Sequence, residues 1–313
     1  MRKQYSFSRR IVLDTCLMQY FLQYHAADKK CLIDPGLKSE IRKLKALSNC
    51  DMLAGKFLEA QIRLHLVRGA DWSPSWFLRK ALGDFDRAIL QNRKLAVADE
   101  TPSAGRLLEF AVGDPQADEK AAKAREKLSI ALDHYFNATS MVALRESTKG
   151  AALTVGKKIS GLQVRDWTIS GEIDLLIVHD ETVRIIDWKI GMPQMTMDSL
   201  QLFIYGWYAA NEPMLRGRKI TAQRAFLGTG ELESPTEITP ERTCRGRARV
   251  LQDIELMNEL DPYGREGVEE VFTPCMNENI CRRCKFQTMC PKGTAPLASK
   301  PTSDFLPLFQ ALT

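Results

Sequence analysis

Two groups of residues in this 313-residue chain could do chemistry. The first is acidic and basic: Asp174 in "GEIDLLIVHD", and Asp187 with Lys189 in "TVRIIDWKI". Side chains of a strand alternate between faces, so Val183, Ile185, Asp187 and Lys189 share one face while Arg184, Ile186, Trp188 and Ile190 share the other. Two opposite charges on one face of an apolar strand must be paired or bind something charged, because burying them otherwise is costly. Taken alone, the pair reads equally well as an ion pair at a strand end. Asp174 widens the reading. Two carboxylates and a lysine converging at neighbouring strand ends can hold a hard divalent cation through oxygen and position a water beside it, which makes a hydrolytic site. The second group is thiols. "CRRCKFQTMCP" places Cys281, Cys284 and Cys290 at C-x2-C-x5-C spacing, and three clustered cysteines need a fourth to complete either a zinc tetrahedron or a cubane cluster. Cys275 is the local candidate and Cys16 the distant one, whereas Cys31, Cys50 and Cys244 lack partner spacing and read as ordinary thiols.

The elements that must carry these residues follow from periodicity and breakers. From Leu162 the pattern is strand-like: "LQVRDWTI", "GEIDLLIVHD" and "TVRIIDWKI", joined by short polar turns, predict an antiparallel meander. A helix over 199–210, capped by Asp198 or Ser199, precedes a further strand, "ITAQRAFLG", a basic helix around "ERTCRGRARVLQDIELMNEL" and the cysteine-rich tail. Upstream, a helix is expected from Ser8 to His25, with Ser8 as its cap and Cys16 inside it, followed at intervals of four by Tyr20 and Tyr24. A second runs from Met52 to Val67, with Glu59 among Leu58, Ile62 and Leu66. Between Arg68 and Gly150 the pattern is helical but interrupted by "DWSPSW" and "ADETPSAG", which reads as an insertion. The expected domains are therefore an N-terminal helical part (1–67), a helical insertion (68–150), a core (151–235) and a C-terminal helix with the cysteine-rich region (236–313). "GAALTVGKKIS" has the wrong spacing for a phosphate-binding loop and lacks the Ser or Thr after its lysine, which argues against an NTPase.

Composition agrees with a folded protein. The 44 basic and 39 acidic residues leave a net charge of +5, a bias that permits a polyanionic partner without requiring one. No apolar run approaches a membrane span, and Arg9, Arg10 and Asp14 interrupt the one N-terminal stretch that resembles a signal peptide. A cytoplasmic protein without membrane partners is expected, in which eight cysteines indicate metal or redox chemistry rather than a disulfide framework.

The order D, spacer, D-x-K in "GEID" and "IDWK" resembles the PD-(D/E)XK nuclease superfamily. Two further features resemble its RecB-like branch. "QLFIY" supplies Gln201 and Tyr205 where that branch carries Q-x-x-x-Y, one turn apart on the helix after D-x-K. "FSRRIVLDTCLMQYFLQY" resembles the N-terminal cysteine motif of members that hold an iron-sulfur cluster, with Leu17 in the place of the usual proline. The branch also carries a helical histidine four residues after a glycine. Here Gly55 is followed by Glu59, an acidic residue as in other members of the superfamily.

The resemblance covers the first 65 residues and Leu162 to Pro291, and implies an α/β fold: a central mixed sheet flanked by helices, the restriction-endonuclease-like core, with the insertion outside it. It implies a metal-dependent deoxyribonuclease acting on single-stranded DNA or DNA ends, with Asp174, Asp187, Lys189, Gln201 and Tyr205 catalytic. Glu59, Asp174, Asp187 and the Trp188 carbonyl would bind Mg2+ or Mn2+. From their type alone, Arg216, Arg218, Arg224, Arg245, Arg247 and Arg249 read as phosphate contacts along the approach or, equally well for any one of them, as solvated surface charge. Cys16, Cys281, Cys284 and Cys290 would hold a 4Fe-4S cluster that staples the N- and C-terminal regions. Related nucleases, the CRISPR-adaptation and AddB types among them, act in CRISPR spacer adaptation, in helicase-nuclease repair complexes and in phage or antiphage recombination, which implies partners such as a helicase or CRISPR and defence proteins. A catalytically weak DNA-end clamp or scaffold is the competing class.

Overall fold

The computed structural model describes residues 3–31, 33–68, 72–97, 105–193, 200–261 and 271–290. In chain order the elements begin with β1 (Lys3–Tyr5), α1 (Phe7–Thr15), α2 (Leu17–Tyr24), α3 (Pro35–Ala46) and α4 (Cys50–Arg68). Four more helices follow, α5 (Pro74–Val97), α6 (Leu108–Ala111), α7 (Ala117–Asn137) and α8 (Thr139–Glu146). Then come β2 (Ala152–Lys158), β3 (Gln163–Val164), β4 (Trp167–Ile169), β5 (Glu172–His179), β6 (Thr182–Lys189) and α9 (Leu200–Asn211). The remainder is β7 (Lys219–Phe226), β8 (Glu231–Leu232), β9 (Thr236–Glu237), α10 (Pro240–Glu259) and α11 (Glu278–Cys281). No described helix is long and apolar enough to cross a membrane. The chain divides into two compact units, one of Met1–Phe7, Cys50–Leu90 and Asp118–Ile254, the other of Ser8–Asn49, Gln91–Ala117 and Glu255–Thr313.

The first unit holds a six-stranded sheet in the order β2-β5-β6-β7-β8, with β9 paired to β7. β2, β5 and β6 are antiparallel neighbours as predicted for the last two, while β6 and β7 run parallel. A parallel pair needs a crossover, and α9 supplies it. Both faces of β5 and β6 are apolar over most of their length (Ile173, Leu175, Leu176 and Ile177; Val183, Ile185 and Ile186 are all buried), as a sheet covered by helices on both sides requires. α9 is buried nearly throughout, and at Gly206 a Cβ would stand 2.6 Å from the Ile238 side chain, so only glycine admits that approach. This is the mixed α/β fold expected.

The local expectations differ at three places. "LQVRDWTI" is not one strand of the meander. Arg165 takes a positive φ of 53°, which folds the stretch into the β3–β4 hairpin, and β4 pairs in parallel with β1 to form a separate three-stranded sheet. β2, which precedes it, is not among the strands predicted, yet it forms the edge of the main sheet. The proposed cap of α9, Asp198 or Ser199, lies outside the described residues.

The third difference is in the second unit. The single helix expected over 8–25 is two, α1 and α2, broken at Cys16, whose backbone is extended and whose Sγ accepts the Gln19 N–H at 3.4 Å as the N-cap of α2. The expected spacing of Tyr20 and Tyr24 survives the break, with ring centroids 5.3 Å apart. Arg9 reaches over both rings and donates to Tyr20 Oη at 2.8 Å through Nη2. The Met18 N–H donates to the Thr273 carbonyl at 3.2 Å, and Phe21 stacks on Phe272 with centroids 4.9 Å apart, fixing α2 against the strand of chain that leads to the cysteines.

Candidate active site

The β5–β6 ladder pairs Leu175 with Ile186 and Leu176 with Ile185, so continuing it by one residue brings Asp174 across from Asp187 on the same face. The Trp188 N–H donates to Asp174 Oδ2 at 2.8 Å and locks that carboxylate at the open end of the ladder. Asp187 is 1% exposed. Lys189 Nζ lies 2.6 Å from Asp187 Oδ2 and donates to Gln201 Oε1 at 3.0 Å. Gln201 Nε2 in turn donates to Tyr205 Oη at 2.7 Å. One turn of α9 thus holds the lysine in place. Gln201 and Tyr205, the helical pair singled out from the sequence, are both bonded along this row: the Gln201 carbonyl accepts from Lys189 and its amide donates to Tyr205.

Two glycines lie close by. A Cβ at Gly171, just before β5, would stand 3.4 Å from Tyr205 Cε1 and 3.1 Å from Ile159 Cδ1. One at Gly228 would stand 2.7 Å from the Ile190 carbonyl, where the Leu227 N–H also bonds the Lys189 carbonyl at 2.7 Å and closes the end of β6 against β7.

The electrostatics are those of a carboxylate pair short of positive charge. Burial and the neighbouring Asp187 charge push the Asp174 carboxyl up to about 7, with Glu59 adding and the Trp188 N–H and Lys189 opposing. Burial also raises Asp187, against the pull of Lys189 and Arg224. Burial raises the Tyr205 hydroxyl, and the charges of Asp187 and Asp174 reinforce it, so it stays protonated. The donors of this site are hard carboxylate oxygens of the kind Mg2+ and Mn2+ take. The residues therefore fit a divalent ion. Among the described residues no group of three or more His, Cys, Asp or Glu side chains stands ready to hold a metal.

Glu59 helps explain why. It lies on α4, half-exposed, with Oε1 3.1 Å from Arg63 Nη2, and the same nitrogen is 2.8 Å from Glu172 Oε1. Neither Arg63 nor Glu172 was singled out from the sequence, although each carried a signal: Arg63 is four residues after Glu59 on a helix, and Glu172 is two before Asp174 on a strand. Arg224 corrects an expectation. It is 2% exposed, stands beside Asp187 in the parallel β6–β7 register and pairs with Glu233 at 3.4 Å, so it cannot line an approach for phosphates. Arg249 is paired with Asp253 at 3.2 Å, and Arg218 donates to the His179 carbonyl at 3.0 Å, while Arg216, Arg245 and Arg247 are exposed.

The second unit contains a cavity onto which five cysteines open: Cys16, Cys275, Cys281, Cys284 and Cys290. Both candidates for the fourth thiol are therefore present. The Cys275 N–H donates to Cys16 Sγ at 3.3 Å, and the Cys275 and Cys281 sulfurs are 3.9 Å apart. Burial raises the Cys284 thiol to about 12, with Cys16, Cys290 and Cys281 adding to the shift. The other walls are largely apolar, Leu22 and Phe286 among them. Cys31 and Cys50 are buried and Cys244 exposed, away from this cavity as expected.

A profile of the PD-(D/E)XK nuclease superfamily matches residues 77–291, a span that contains Asp174, Asp187, Lys189, Gln201, Tyr205 and the three clustered cysteines and begins after Glu59. No curated protein matches the chain.

Proposed function

The chain belongs to the PD-(D/E)XK nuclease superfamily, and from that premise we propose that it is a metal-dependent deoxyribonuclease of the RecB-like kind, acting on single-stranded DNA or DNA ends. Membership implies phosphodiesterase chemistry of the nuclease type, and nucleases of this superfamily typically use Mg2+ or Mn2+. The observation that carries the reading is the bonded row from Asp187 through Lys189 and Gln201 to Tyr205, facing Asp174 across the ladder. A structural ion pair needs no such row, since either partner would serve without a helix turn dedicated to orienting the lysine.

In this reading Asp174, Asp187, the Trp188 carbonyl and Glu59 hold the divalent ion. The chemistry that ion supplies is polarisation of the scissile phosphate and neutralisation of charge gathering on its oxygens. Lys189 Nζ, fixed between Asp187 and Gln201, positions the attacking water and holds its proton in check. Tyr205 keeps Gln201 from rotating, and so acts on the reaction through Lys189. Exposed arginines such as Arg245 and Arg247 are the remaining candidates for phosphate contacts.

The same reading gives Cys16, Cys281, Cys284 and Cys290 to a 4Fe-4S cluster. Its support is the shared cavity and the fit of an apolar, thiol-lined space to a ligand that must be bound by thiolates. Burial holds Cys284 protonated, and a metal is what would displace that proton. Cys275 donates its N–H to Cys16 Sγ, and its own sulfur stands 3.9 Å from that of Cys281. Iron content and visible absorbance of the purified protein separate this from zinc. For the nuclease itself the test is end-labelled single- and double-stranded DNA incubated with Mn2+ and with a chelator: cleavage confined to the Mn2+ reaction is expected, and DNA bound without cleavage in both would support the clamp or scaffold instead.

A further inference from the structure

Arg63 occupies a place built for it. β2 pairs with β5 through Val155 and Leu175 and through Lys157 and Ile173, so Gly156, between those pairs, lies across from Asp174. Gly156 takes a positive φ of 66°. A Cβ there would overlap Arg63 Nη2 and stand 2.7 Å from Glu172 Oε1. Glycine at this position thus does two things: it permits the left-handed backbone, and it opens the space in which the guanidinium bridges Glu59 and Glu172. The bridge is made through Nη2 alone. Side chains on both sides are about four-tenths exposed (Arg63 43%, Glu59 42%, Glu172 38%), so solvent screens each pair and neither is strong enough to resist a competing divalent ion.

We propose that Arg63 is an internal counter-cation which a divalent ion must displace from Glu59, so that the Glu59–Arg63–Glu172 bridge sets how tightly the carboxylate site takes its metal. This rests on the reading of Asp174 and Asp187 as metal ligands. With Arg63 seated, the site offers two carboxylates and a third that is already neutralised. With Arg63 displaced, Glu59 is a third oxygen donor, and a positive charge has moved away from the ion. A glutamate that would otherwise repel its acidic neighbours in the metal-free protein is meanwhile kept quiet. The bridge therefore favours ligand-free stability at the expense of metal affinity, and restricts the loaded state to conditions of ample divalent ion.

The test is calorimetric titration of the full chain with Mn2+, without DNA, alongside thermal melting. Arg63→Gln should tighten Mn2+ binding by up to about tenfold, the order expected for removing a neighbouring unit charge from a divalent ion in a water-like medium. Gly156→Ala should tighten it in the same direction while leaving the arginine in the sequence, because the added methyl evicts the guanidinium. Adding Glu59→Gln to Arg63→Gln should remove the gain. If Arg63→Gln does not fold, Arg63→Met, which also removes the charge while keeping an unbranched apolar stem, is read in the same way. Mn2+ binding that Asp187→Asn abolishes but Arg63→Gln leaves unchanged or weakens would overturn the counter-cation and spare the site. Mn2+ binding indifferent to Asp187→Asn, or absent from every variant, would overturn both.

Discussion

The carboxylate site and the cysteine cavity solve opposite problems. In the first, every charged group has an internal partner: Asp187 has Lys189, Asp174 has the Trp188 N–H, and Glu59 has Arg63. In the second, five thiols line a largely apolar space, and the contacts there include a 3.3 Å N–H bond from Cys275 to Cys16 and two sulfurs 3.9 Å apart. A site whose charges answer one another folds without its ligand. An apolar cavity lined by thiols is steadied by a ligand that binds them. The difference teaches that losing the ion from the carboxylates should cost activity and spare the fold, whereas losing the ligand of the cysteines should cost the fold.

The largest effect expected is on the first side of that contrast. Asp187→Ala and Lys189→Ala should each lower DNA cleavage by about a thousandfold or more, with circular dichroism and DNA binding close to wild type. A melting temperature that falls together with the activity would break the contrast.

Next is the cavity. Cys16→Ser should lose iron and visible colour and melt about 10 °C or more below wild type, because the filled cavity ties α2 to the tail. Cys275→Ser should keep both. Iron analysis and melting of the pair decide it, and the reverse outcome would make the thiol site local to the tail.

A smaller effect comes from protons. Asp174 is raised to about 7 in the folded chain, above the ordinary carboxylate range, so it takes up a proton more readily folded than unfolded. Its contribution favours folding at low pH and is lost as pH rises through about 7. The metal-free protein should therefore lose more stability between about pH 6 and pH 8 than Asp174→Asn does. Added Mn2+, which needs the ionised carboxylate, should raise the melting temperature more at the higher pH. Melting curves at the two pH values, with Mn2+ and with chelator, check both statements.

The smallest is Tyr205→Phe, which removes the acceptor of the Gln201 amide. One neutral hydrogen bond is worth about 1 kcal/mol, so cleavage should fall by about tenfold or less with no change in Mn2+ affinity. A change in Mn2+ affinity would place Tyr205 at the ion rather than behind Lys189.

Much of the carboxylate site was legible because its logic is local. Strand alternation put Asp187 and Lys189 on one face, a short turn brought Asp174 beside them, and a four-residue helical interval joined Gln201 to Tyr205. What escaped depended on register or on backbone that carries no apolar signal. Arg224 reads as one more surface arginine until the parallel pairing of β6 and β7 sets it against Asp187 and out of solvent. The apolar spacing of "RRIVLDTCLMQYF" runs unbroken through Cys16, so nothing in it announces that the thiol caps a new helix. β2 was hidden by Gly156, whose positive φ and missing side chain serve Arg63 rather than the strand.

The most direct test of the account is a cleavage time course on end-labelled DNA with Mn2+, comparing wild type with Asp187→Asn, a change of one charge at nearly constant volume. Rapid, chelator-sensitive cleavage is expected of wild type, and none above background of Asp187→Asn at equal DNA occupancy. Cleavage by Asp187→Asn at the wild-type rate would contradict it.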